Sequence, residues 1–186
     1  MGLFSFGSKR DKIRKLIEAE RFDEVVSRAV KDRKSLEALV ELLEDRMPGV
    51  RGDALLLLSN VAGQNGYIIK PYLEKILSRS IQLTRDGNPY VRENAMLLSY
   101  ELIRMFPEDV EGLKSDIVRT LIEELQGGDK NGKAFAMIVL GELRVKDAAP
   151  YVEELSGVED KVILPFEGKK WVPLGEIAKE TLERLR

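Results

Sequence analysis

The hydrophobic positions of this chain fall at helical spacing over most of its length, and the pattern repeats. The segment from Pro48 to Val61 realigns with Asn88 to Leu102 when Pro48 is laid on Pro89, so that Val50 meets Val91, Arg51 meets Arg92 and Ala54 meets Ala95. A second shift of 41 residues lays Lys133 on Arg92, Ala136 on Ala95, Leu140 on Ser99 and Leu143 on Leu102. A shift of 42 then brings Ala178 into register, followed by Leu182 and Leu185. A fixed period near 40 residues is the signature of stacked helical units rather than of a single closed core. Alanine at a constant place in each unit marks where two helices cross closely, with apolar residues four and seven positions later on the same face.

The pattern predicts a series of second helices opening at Pro48, at Pro89 behind the N-cap Asn88, near Lys133, and near Gly175. Proline suits a first turn because the N–H it lacks has no intrahelical partner there. Amphipathic first helices are expected from Ser35 to Arg46, Ile68 to Arg85, Pro107 to Gln126 and Ala149 to Leu155, with Pro71 tolerated in the first turn of the second. Two further helical patterns, Lys9 to Glu20 and Phe22 to Lys31, read as an irregular terminal pair that closes the stack. Two places break the pattern. Gly132 and the sequence GGDKN replace the valine and the proline turn of the third unit, and an insertion splits the last. Within that insertion Val162 to Phe166 and Lys170 to Val172 flank Glu167-Gly168, a tight hairpin signal.

The turn proline, Val-Arg, Ala and Leu arrangement resembles the second helix of HEAT and HEAT-like (PBS-lyase-type) repeats, over roughly residues 35 to 186. The resemblance implies an all-α, right-handed α-α superhelix of about four to five helix pairs, with a small β-hairpin insertion near the C-terminus. A final helix opening Gly175-Glu176-Ile177-Ala178 is similar to the C-terminal units of such proteins. The expected organisation is an N-terminal tail at 1–8 and one repeat domain at 9–186, with the irregular pair at 9–33 and repeats near 34–64, 67–105, 107–145 and 147–186.

Composition narrows the chemistry. The 186 residues are 44% hydrophobic, enough for a substantial core, and 30 basic against 32 acidic residues leave a net charge of -2. No global positive field draws the chain to a phosphate backbone, so nucleic acid is not the expected partner. No apolar run approaches the ~20 residues of a membrane span, and a cytoplasmic location is expected. Cysteine and histidine are both absent. That removes thiolate chemistry, sulfur-based zinc sites and the usual neutral-pH acid-base residue, so no enzyme activity, metal or cofactor is expected. Carboxylate pairs such as Glu123-Glu124 are adjacent on a helix and do not face each other. Among enzymes the family resemblance brings to mind, deoxyhypusine hydroxylase needs His-Glu motifs that this chain lacks. Nothing marks the pigment binding of bilin lyases, and alkylpurine glycosylases use a basic, aromatic face. The 33% charged fraction, with few Asn and Gln, leans towards a thermophilic source, and the family resemblance suggests an archaeal one.

Three sets of residues bear on function. Arg51, Arg92 and Lys133 recur at one repeat position, like Ala54, Ala95, Ala136 and Ala178. They either track an anionic partner or, as the resemblance implies, pair with acidic turn residues such as Asp45, Asp86 and Asp129. On the second helices, Val50, Ala54, Leu57, Leu58 and Val61 form the core face, whereas Leu56, Leu97 and Ile138 recur on the opposite one, accompanied by Met96, Tyr100 and Met137. That row either receives an amphipathic helix of a protein partner or is covered by the rest of the chain. Asn60, Glu101 and Glu142 on its rim favour a partner with basic character. Finally, Leu3, Phe4 and Phe6 precede five basic residues between Lys9 and Lys15, as a membrane contact or an ordinary tail, and Trp171 is either a partner anchor or packed under its hairpin. The function expected is a non-catalytic protein-binding scaffold, with a nucleic-acid-binding or DNA-repair role of the HEAT-like glycosylase type as the alternative.

Overall fold

A computed structural model describes residues 7–166 and 168–186, so Leu3, Phe4, Phe6 and the Glu167 half of the expected hairpin turn lie outside the described residues. The fold is all-α with one small antiparallel hairpin, and it forms two compact units, Met1–Leu98 and Ser99–Arg186.

The first unit opens with α1 (Lys9–Glu18), whose start is fixed by a capping box. The Ser8 hydroxyl accepts from Asp11 N–H and the Asp11 carboxylate accepts from Ser8 N–H, both at 3.1 Å. Next come α2 (Phe22–Lys31) and α3 (Arg33–Glu41), the latter capped by Asp32, with a 3₁₀ turn at Leu42–Glu44. These pack on α4 (Pro48–Gln64), the first of the proline-started second helices. The following first helix differs from the sequence expectation. Instead of one helix from Ile68 to Arg85, the chain forms α5 (Gly66–Ile69), a 3₁₀ turn at Lys70–Tyr72 and α6 (Leu73–Leu83). Pro71 sits inside the 3₁₀ turn, because its ring and missing N–H disfavour the continuous i→i−4 ladder.

Helix α7 (Pro89–Met105) begins as the sequence predicts, with the Asn88 side-chain oxygen accepting from Tyr90 N–H at 2.9 Å and Val91 N–H at 3.3 Å. The unit boundary falls within it. In the second unit the long first helix expected from Pro107 is again broken, into α8 (Pro107–Glu111) and α9 (Lys114–Gly127). Helix α10 (Lys130–Glu142) starts without a proline, and Asp129 caps it by accepting from Gly132 N–H at 2.8 Å. After α11 (Ala149–Glu153), strands β1 (Lys161–Ile163) and β2 (Lys170–Pro173) pair antiparallel and α12 (Leu174–Leu185) closes the chain. Val162 faces Val172 and Ile163 faces Lys170, leaving Trp171 as an extra residue on β2 with φ +58°. That bulge turns Trp171 outwards, 67% exposed, rather than under the hairpin.

Ala54, Ala95, Ala136 and Ala178 are all fully buried. At Ala95 the reason is direct: Ser80 on α6, itself buried, donates its hydroxyl to the Ala95 carbonyl at 3.0 Å, an approach that a larger side chain on the crossing face would obstruct.

Candidate functional site

The repeated turns place their charges by a common device. Asp45 accepts from Met47 N–H at 2.9 Å, and its equivalent Asp86 accepts from Asn88 N–H at 2.9 Å, so each aspartate closes the turn ahead of a second helix. Arg51 joins the two turns. Its Nη1 donates to the Asp45 carbonyl at 2.8 Å and the Arg46 carbonyl at 3.2 Å, while Nη2 donates to the Asp86 carboxylate at 2.8 Å. The Asp45 carboxylate is held from the other side by Arg14 on α1, through Nε at 2.9 Å, with Arg10 at 3.7 Å. Burial alone would raise the Asp45 carboxyl, but the hydrogen bonds from Arg14 and Met47 outweigh it and its pKa falls below the ordinary value. Arg51 is thus committed to structure. Lys133 lies half-buried near the start of α10, and Arg92 is likewise half-buried on α7.

The basic N-terminal cluster is also engaged. Lys9 pairs with Asp32 at 3.0 Å, while Arg10 and Arg14 face Asp45. These pairs anchor α1 to the turns beneath it.

Of the six apolar residues expected to face a partner, Leu56 and Leu97 keep exposed surface, both in the first unit, and Met96, Tyr100, Met137 and Ile138 are buried. In the second unit the hairpin covers one member of the row, Tyr100. Helix α10 is flanked by α9 and α12, and β1 packs against it as a third neighbour. Val162, Leu164 and Phe166 project inwards from the hairpin and are buried. The Phe166 ring stacks on Tyr100 with centroids 4.4 Å apart and meets Phe135 edge-on at 6.2 Å, and Arg104 lies 5.4 Å from the Tyr100 ring centroid. Glu142, expected on a rim attractive to basic partners, is paired with Arg184 at 3.1 Å and Arg104 at 3.7 Å. Only the first unit's portion therefore presents apolar surface at these positions. Around it stand Asp53 and Asn60 one turn either side of Leu56, and Glu93 and Asn94 one turn before Leu97. Asp53 accepts from the Tyr90 hydroxyl at 2.7 Å.

One feature of the second unit escaped the sequence reading. Glu124 is buried, and Cβ atoms built on Gly128 and Gly132 would lie 2.1 and 1.8 Å from its Oε1. The glycines that break the repeat pattern are thus the space that the Glu124 carboxylate occupies. Among the described residues no group of three or more His, Cys, Asp or Glu side chains could hold a metal ion, and no helix is long and apolar enough to cross a membrane.

Comparison with known proteins agrees with the repeat frame. No curated protein and no solved structure matches the chain. Residues 48–98, which carry α4 through most of α7 and both Leu56 and Leu97, match the family model of the HEAT-like repeat.

Proposed function

We propose that the chain is a non-catalytic scaffold that binds a protein partner on the second-helix face carrying Leu56 and Leu97. The observation that carries this reading is the contrast along one repeat position. Ile138 is buried in the second unit, whereas Leu56 and Leu97 keep solvent contact in the first. Apolar side chains at a fixed repeat position, rimmed by Asp53, Asn60, Glu93 and Asn94, have the anatomy of an interface with an apolar centre and a polar margin. HEAT-like repeats lend themselves to this use because stacked units present a row of equivalent positions. A cytoplasmic location fits the same reading. The nucleic-acid alternative draws no support from Arg51, whose Nη1 and Nη2 donate to Asp45, Arg46 and Asp86.

The test is site-specific photocrosslinking in the source cells, with the crosslinker at position 56 or 97 and, as control, at the exposed Lys75 on α6. The reading expects one discrete protein adduct from positions 56 and 97 and none from 75. Equal labelling from all three positions, or adducts to nucleic acid alone, would overturn it.

A further inference from the structure

We infer that the outward face of the C-terminal hairpin, Trp171 and Ile163 flanked by Lys161 and Lys170, is a second docking surface, fitted to an acidic protein segment that carries a large apolar side chain. It is independent of the Leu56–Leu97 reading and holds whether or not that face binds.

Strand pairing sets which side chains share this face, because residues directly opposite each other in an antiparallel pair project to the same side. Val162 and its partner Val172 turn towards the core, buried and half-buried. Lys161 and Ile163, with Lys170 opposite Ile163, point the other way, and all three are exposed. Trp171 joins them from the bulge at φ +58°, 67% exposed beside an Ile163 that is 43% exposed. Two of the six large apolar side chains exposed among the described residues thus stand on one short hairpin.

Folding alone does not account for Trp171. A bulky residue in the left-handed region carries a backbone cost that glycine would not, and a ring mostly in water recovers little of it through burial. An aromatic side chain so placed has the profile of an anchor that is buried on association. The lysines set the charge of what it meets. Lys161 and Lys170 have no carboxylate partner among the described residues, whereas Lys169 is paired with Glu180. Two cations beside two apolar groups complement a segment in which carboxylates flank an apolar residue. An anionic bilayer fits less well. Glu159 and Asp160 are exposed directly before Lys161, and a flat surface would meet them too, whereas a narrow peptide can follow the lysines alone.

Trp171 is the one tryptophan of the chain, so its emission reports on this face in the full-length protein. Three probes are titrated: a synthetic peptide with glutamates on both sides of a Leu-Phe pair, the same peptide with lysines for glutamates, and mixed phosphatidylcholine–phosphatidylserine vesicles. A saturable blue shift of the Trp171 emission is expected with the acidic peptide, weakening several-fold as NaCl is raised from about 50 to about 300 mM. The lysine peptide should leave the emission unchanged. The exposed double substitution K161E/K170E should weaken the acidic peptide by at least about tenfold with helicity retained. Trp171→Gly separates anchoring from folding: binding followed by calorimetry should fall by at least about tenfold, while the thermal midpoint stays within a few degrees, since relief of the left-handed backbone offsets the lost ring contacts. No shift with the acidic peptide, an equal shift with the lysine peptide, or a shift with vesicles alone would overturn the inference. So would a midpoint lowered by more than about 10 °C in Trp171→Gly, which would assign the ring to folding.

Discussion

The Arg51 guanidinium donates to the Asp86 carboxylate at 2.8 Å, with the two side chains only 16% and 13% exposed. Through its second nitrogen the same guanidinium holds the Asp45 carbonyl, so one side chain fastens the turn before α4 to the turn before α7. A largely buried charge left without its partner costs more than the pair itself contributes. Arg51→Ala is therefore expected to lower the unfolding free energy by about 1–3 kcal/mol, read as a shifted urea midpoint. Arg51→Lys should recover only part of that, because a single ammonium cannot span both acceptors as the planar fork does. An unchanged midpoint for Arg51→Ala would contradict the structural assignment of this position.

The Tyr90 ring lies over Gly52, where a Cβ would come within 2.3 Å of the ring carbon Cδ1. The hydrogen bond to Asp53 keeps the ring from swinging away. Gly52→Ala should destabilise by about 1–3 kcal/mol, and the double variant with Tyr90→Ala should be less destabilised than the sum of the singles. Burial, together with the Asp53 carboxylate, also pushes the Tyr90 phenol up to about 12. Since the folded value exceeds the unfolded one, this group's contribution to stability is complete below about pH 10 and is lost as pH rises towards 12. Spectrophotometric titration should show the Tyr90 phenol ionising late, and Asp53→Asn should bring it earlier.

Gly132 departs from the repeat because Glu124 fills the space where a side chain would stand. Restoring valine, Gly132→Val, should cost at least about 2 kcal/mol by overpacking. Combining it with Glu124→Ala should return part of that loss, the thermal midpoint of the double variant lying above that of Gly132→Val alone. A midpoint no higher in the double variant would show that the conflict lies elsewhere.

Much of this architecture was legible in the sequence, for identifiable reasons. Close helix crossings demand a small residue, and that demand recurs once per unit, so the alanines at 54, 95, 136 and 178 mark the frame. Pro89 and Asn88 carry their own local start signal, and the structure uses both. What could not be read were contacts set by tertiary packing. Nothing local to Tyr100 says that Phe166 will stack on it, and nothing local to Ile138 says that it will be covered in its unit. Trp171 occupies a left-handed bulge that glycine would ordinarily mark, so its outward direction had no sequence signal. The first helices read as continuous because amphipathic spacing persists through Pro71 and Gly112, although the backbone breaks at the former and near the latter.

Two aspartates are expected to make the fold acid-sensitive. The Ser35 hydroxyl and Lys9 hold the Asp32 carboxyl down at about 2, and Asp45 is also lowered once its hydrogen bonds from Arg14 and Met47 are set against its burial. Both folded values lie below the ordinary one. Their contribution to stability is present above about pH 4 and is lost as pH falls through the folded values. Urea unfolding followed from about pH 6 down to about pH 2 should show stability falling over the acid limb, with a shallower slope for Asp45→Asn. An equal slope would separate Asp45 from the acid response.

The most direct test of the central claim is hydroxyl-radical footprinting of the chain alone and bound to the partner recovered by crosslinking. The account predicts that Leu56 and Leu97 become protected while the exposed Tyr67 and Met47 keep their reactivity. Protection at Tyr67 or Met47 with Leu56 and Leu97 unchanged would contradict it.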